Sequence, residues 1–142
     1  MSSQNAINTA IYSKLSGTAL GTLTAGGTTS PSVFFEQAPD NQSLPYVVWL
    51  FPSGIDENII THRMKDIVLR VYAVASVPAQ AGTLDATVDT MLHNGTLTFG
   101  TATGWKSIWL RRENDYQLVT TSESGVRYYT SGADYRVEIT KG

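Results

Sequence analysis

The chain has no cysteine among its 142 residues. That excludes a disulfide framework, thiolate zinc sites, iron–sulfur clusters and a thiol nucleophile. Histidine occurs only twice, as His62 and His93, which leaves little for general acid–base work or metal ligation. Charge is scarce as well: ten Lys and Arg with twelve Asp and Glu make up 15% of the chain, against about 25% in an average globular protein. A net charge of −2 excludes a nucleic-acid binder that relies on bulk electrostatics. Long hydrophobic runs are missing too. The longest, Tyr46-Val47-Val48-Trp49-Leu50-Phe51, is far short of the roughly 20 residues a membrane helix needs. No basic-then-apolar stretch opens the chain, so neither a signal peptide nor a membrane partner is expected. The sequons Asn41-Gln42-Ser43 and Asn94-Gly95-Thr96 carry little weight without a secretory route.

Catalytic signatures are missing one after another. There is no G-x-S-x-G elbow, no Walker loop, no G-x-G-x-x-G and no H-E-x-x-H. A metal site or a base–orienter pair can be sketched from His62 with Asp56 and Glu57, but it lacks a third strong ligand and a fixed spacing. His93 reads as a residue at a helix C-terminus, and Asp85 with Asp89, one helical turn apart, as a solvated helix face. The basic pairs Arg111-Arg112 and Arg63 with Lys65 read as surface ion-pair partners, and Tyr128-Tyr129 as strand aromatics. No catalytic residue, cofactor or metal is therefore expected.

What is present is a chain that is 42% hydrophobic with Thr, Ser and Gly in place of charge. Its length suits one domain with a sizeable core. Residues 4–15 read as an amphipathic helix, with Ile7, Ala10, Ile11 and Leu15 at helical spacing and Gly17 placed to end it in a left-handed conformation. Residues 16–32 are almost wholly Ser, Thr, Gly, Ala and Leu, with Gly26-Gly27 near the middle. Two readings stand for this segment: a mobile loop, or a stretch that orders only against a partner.

Strands are expected at 33–37 and 46–51, the second closed by Pro52-Ser53-Gly54, with 55–63 polar and irregular. Residues 64–75 alternate cleanly, with Ile67, Leu69, Val71 and Ala73 on one face. A helix follows, with Pro78 in its first turn, Ala81, Leu84, Val88 and Leu92 as its stripe and Asn94-Gly95 as its end. Leu97-Thr98-Phe99 reads as a short strand. Residues 105–121 read as a long strand bent near Asn114-Asp115, turned at Ser122–Gly125 and paired back through 126–130. Ser131-Gly132 is expected to interrupt that return, after which Tyr135, Val137 and Ile139 alternate with charged residues. The pattern predicts an α+β fold: an antiparallel-rich sheet with two helices packed on one face.

Aromatics are the one surplus. Adjacent strand residues point to opposite faces, so pairs such as Phe34-Phe35 cannot share one core. Phe34, Phe35, Trp49, Phe51 and Trp109 are accordingly candidates for a subunit interface.

This order of elements resembles the tail-terminator (tail-completion) proteins of long-tailed bacteriophages and gene-transfer particles. The resemblance is carried by the opening helix from Ala6-Ile7 to Leu15, the short strand running into Ala38-Pro39, and Leu44-Pro45-Tyr46-Val47 opening a strand. It continues through the alternating Asp66 to Tyr72 with a helix directly after, and through Gly125-Val126-Arg127 with the closing Tyr135-Arg136-Val137. It covers nearly the whole chain, departing at the 16–32 segment. It implies a homo-hexameric ring at the end of a tail tube, in the virion, assembled in the host cytoplasm. Its implied partners are the tail-tube protein and the head connector or neck protein, with DNA passing through the lumen without specific binding. Read from the residues alone, a neck or head-completion protein, a tail-tube subunit, a carbohydrate- or protein-binding module and a hydrolase using His62 stay open.

Overall fold

The computed structural model describes residues 3–27, 31–59 and 62–141, without the side chains of residues 3, 18, 55–59, 62 and 102. Its elements are α1 (Ser3–Leu15), α2 (Thr18–Gly21), β1 (Val33–Phe35), β2 (Tyr46–Ile59), β3 (His62–Ala75), α3 (Pro78–Leu92), a 3₁₀ turn (Thr101–Thr103), β4 (Trp105–Thr121) and β5 (Arg127–Lys141). The strands form one sheet in the order β1-β2-β3-β5-β4. Three pairings are antiparallel, and β1 runs parallel to β2. The class is α+β as the pattern predicts, but the sheet is mixed and a third, one-turn helix precedes it.

The helical stripes are those the spacing predicts. Ala6, Ile7, Ala10, Ile11 and Leu15 of α1 and Ala81, Leu84, Val88 and Leu92 of α3 are all buried. All but Ala81 share one cluster with alternate strand residues: Val47 and Trp49, Ile67 to Ala73, Leu110, and Ala133 to Ile139. Burying a residue such as Ile11 or Leu69, both 0% exposed, contributes about 1.5–3 kcal/mol. The opposite alternation contributes nothing to this cluster; Val48 and Val74 on it are buried yet lie outside the cluster.

Four local expectations are corrected. Pro52 does not end β2. It sits in a bulge between Leu50 and Ser53, and pairing with β3 resumes from Ser53↔Val68 to Ile59↔His62. A bulge is a place where a sheet tolerates a residue with no N–H to donate, so 53–59 and 62–68 form a hairpin arm instead of an irregular stretch. Ser131-Gly132 does not interrupt β5 either, since Gly132 pairs with Tyr72 on one side and Tyr116 on the other. Leu97-Thr98-Phe99 forms no strand. Gly17 does not take a positive φ; the chain turns directly into α2.

The Ser/Thr/Gly segment is tied down where it is described. Leu20 is fully buried, the Ala25 N–H donates to the Pro45 carbonyl at 3.0 Å, and the Ser32 N–H donates to the Thr24 hydroxyl at 3.0 Å. Of the five interface candidates, Trp49 is buried and donates its Nε1 to Asn8 of α1. Phe35 and Phe51 are half-buried and pack on the core beside it. Phe34 and Trp109 point the other way, as the alternation requires.

Candidate functional site

The second face of the sheet is the surface that the chain builds without a helix of the core cluster above it. One end of it is aromatic. Gly132 of β5 lies in register between Tyr72 of β3 and Tyr116 of β4. Having no side chain, it leaves a gap that the two rings close, their centroids 5.7 Å apart. Arg70 lies over the Tyr116 ring at 4.5 Å, and Phe34 meets Tyr46 edge-on at 6.2 Å; such contacts fix ring orientation as well as adding area.

Two adjoining clefts run along these rings. One, of about 450 Å³, lies under the 37–42 loop against Tyr46, Val48, Tyr72 and Tyr128. The other, of about 300 Å³, lies against the same three tyrosines with Val74, Leu118 and Thr130. Burial pushes the Tyr72 and Tyr46 hydroxyls above the ordinary phenol range, and neighbouring Tyr116 and Tyr128 add to it. Tyr72 and Tyr46 therefore stay neutral here, acting as apolar surfaces with polar tips.

The other end of the face is charged and internally compensated. Arg70 Nε donates to Asp134 at 2.8 Å. Arg136 bridges Asp66 at 2.9 Å and Glu113 at 3.1 Å. These half-exposed pairs contribute about 1 kcal/mol or less apiece, but they set the strand register from β3 across β5 to β4. Trp109 lies on this face with the Arg111 guanidinium over its ring at 4.3 Å.

On the helix side, Arg112 holds the long β4–β5 hairpin against α3. Its Nη1 and Nη2 donate to the two oxygens of Asp85 at 3.0 and 3.1 Å, and Nη2 also reaches Asp115 at 2.8 Å. Asp89 stands 3.5 Å from the same guanidinium and accepts from the Tyr135 hydroxyl at 3.0 Å. The bond to Asp85 keeps Arg112 charged through any ordinary pH, while burial, then Asp89, push Tyr135 well above the phenol range. Asp85 and Asp89 are thus anchors for a strand and not a solvated helix face. Arg112 sits at the β4 bulge between Arg112 and Asn114, close to the expected bend at Asn114-Asp115, and its N–H donates to His93 Nδ1 at 3.1 Å. Sequence spacing brings Asp85 to Asp89 but carries no mark of a partner 27 residues away.

The side chains of His62, Asp56 and Glu57 lie outside the described residues. Among the described residues no group of three His, Cys, Asp or Glu side chains stands close enough to hold a metal, and no described helix is long and apolar enough to cross a membrane. Of the tyrosines on the second face, the sequence singled out only Tyr128, as a strand aromatic, and not Tyr46, Tyr72 or Tyr116. Their signal is the two-residue period of Tyr46 with Val48 and of Tyr72 with Val74.

A family model described as tail completion protein gp17 matches residues 9–138. Among solved structures, a chain from the virion of a native gene transfer agent (GTA) particle shares this fold. Its TM-score is 0.70 at 15% identity, over 98% of this chain and 97% of that one. No curated protein matches.

Proposed function

Because the chain belongs to the family of tail completion protein gp17, we propose that it is a structural subunit of a phage-type tail that forms a ring on the tube end, stops tube growth and presents a surface to the head connector. Tube growth repeats one head-to-tail contact, and such a contact continues until something binds it without reproducing it. A ring that carries one half of the contact caps the tip and offers a new face to the next component. In this reading the ring is a homo-hexamer, and DNA passes through its lumen without specific contacts. The helices α1 and α3 serve as a backing layer that leaves the second sheet face free for neighbours.

The observation that carries this reading, beside the family, is that second face. It holds two aromatic clefts, and half-buried Phe34 and Trp109 lie on it while Phe35, Trp49 and Phe51 pack toward the core. A surface of this make-up, rich in tyrosine at one end and carrying paired charges at the other, suits protein–protein association.

The test is deletion of the gene followed by imaging of particles. The outcome we expect is filled heads without tails, together with tubes of uncontrolled length. Normal-length tails joined to heads would refute it, and leaky heads beside normal free tails would move the protein to the neck.

A further inference from the structure

The two opposite edges of the sheet carry opposite uncompensated charge. Between Lys14 and Arg63 the sequence holds four acidic residues and no basic one, and this stretch builds the β1–β2 side. Glu36 directly follows β1, exposed and held at φ 68°, and Asp40 is exposed in the loop after it. Neither carboxylate meets a cation among the described residues. At the far edge, β4 presents exposed Lys106 and Arg111, and neither meets a carboxylate among the described residues. The acids of the same strand are already committed, Glu113 to Arg136 and Asp115 to Arg112.

Each edge also places apolar surface beside its charge on the same sheet face. Phe34 stands by the acidic rim, and Trp109, stacked under Arg111, stands by the basic one. An isologous contact would bring one edge onto its own copy, like charge against like. A heterologous contact brings acid onto base and repeats around a ring.

We infer that the acidic β1 rim of one copy docks on the basic β4 rim of the next, with Glu36 and Asp40 facing Lys106 and Arg111 across the joint. This rests on the ring reading above and names the two surfaces that close the ring. Association is steered by these charges and weakens as salt rises.

The test uses the full-length chain with two charge-reversed variants, Lys106→Glu/Arg111→Glu and Glu36→Lys/Asp40→Lys, with assembly followed by mass measurement in the presence of tube ends. Each variant alone self-associates at least about tenfold more weakly than the wild type, because like rims now meet. An equimolar mixture recovers assembly, since each reversed rim finds its complement on the other variant, alternating around a ring of even number. The fourfold reversal in one chain recovers it as well. Thermal unfolding of each variant near the wild-type midpoint establishes that the variants fold. Folded variants that assemble as the wild type does, or a mixture that stays dissociated, overturn the edge pairing while the ring reading stands. A wild type that stays monomeric with tube ends present overturns the ring reading and this pairing together.

Discussion

Gly132→Ala and Gly82→Ala are the same chemical change with opposite expected signs. A Cβ on Gly132 would run into the Val71 carbonyl oxygen and come within 2.5 Å of the Tyr72 Cα. Both are backbone atoms of β3, hydrogen-bonded in the centre of the sheet, so no rotamer change relieves the contact. Overpacking costs about 1–3 kcal/mol where side chains can adjust; with backbone on the far side the upper end applies, about 3 kcal/mol. For a chain of this length that lowers Tm by roughly 10 °C. Gly82 lies inside α3 with open space where a Cβ would stand. Alanine there restricts the unfolded chain and favours the helix, a gain of about 0.5–1 kcal/mol. Thermal and urea unfolding followed by circular dichroism measure both. A Gly132→Ala midpoint equal to that of the wild type would mean that β5 does not pass β3 at this residue, and the account of the Tyr72–Tyr116 contact would go with it.

Three further outcomes follow from the same geometry. Arg112→Met removes the hydrogen bonds to Asp85 and Asp115 and leaves the largely buried Asp85 carboxylate without its cation, held only by the Ser131 hydroxyl; a loss of about 2 kcal/mol is expected by urea unfolding, with amide exchange rising first in the β4–β5 hairpin. Tyr135, Tyr72 and Tyr46 have phenol pKa values raised by folding, so the folded state holds their protons more tightly than the unfolded chain. Their contribution is whole below the unfolded value of about 10 and is lost as pH rises above it. Stability should therefore fall in the alkaline range, and fall less steeply in Tyr135→Phe. For the 16–32 segment, the amides of Gly21, Thr24, Ala25 and Ser32, hydrogen-bonded within the fold, are expected to be protected in the free subunit; exchange there as fast as in an unfolded chain would favour the reading in which the segment orders only against a partner.

The helices and the inner sheet face were legible because one-sided burial writes itself as a period. Ile7, Ile11 and Leu15 mark a helix, as Leu84, Val88 and Leu92 do, and Ile67 to Ala73 mark a strand. Features set by distant partners were not legible. Pro52 and Ser131-Gly132 look like breaks in the local sequence, yet pairing with β3 carries both strands through, by a bulge in one case and by two flanking tyrosines in the other. Asp85 and Asp89 look solvated until the fold brings Arg112 to them. The surplus of aromatics pointed to a second apolar surface, but alternation alone could not say that Trp49 would close on α1 while Tyr46, Tyr72 and Tyr128 built the clefts.

The most direct measurement of the central claim is add-back. Filled heads and unfinished tails are prepared from a strain lacking the gene, purified protein is added, and joined particles are counted by electron microscopy. The account predicts that joining is restored in proportion to added protein until tube ends are saturated, with density appearing as a closed ring between tube and head. Heads and tails that join equally well without the protein, or that stay apart with it bound elsewhere on the particle, would contradict it.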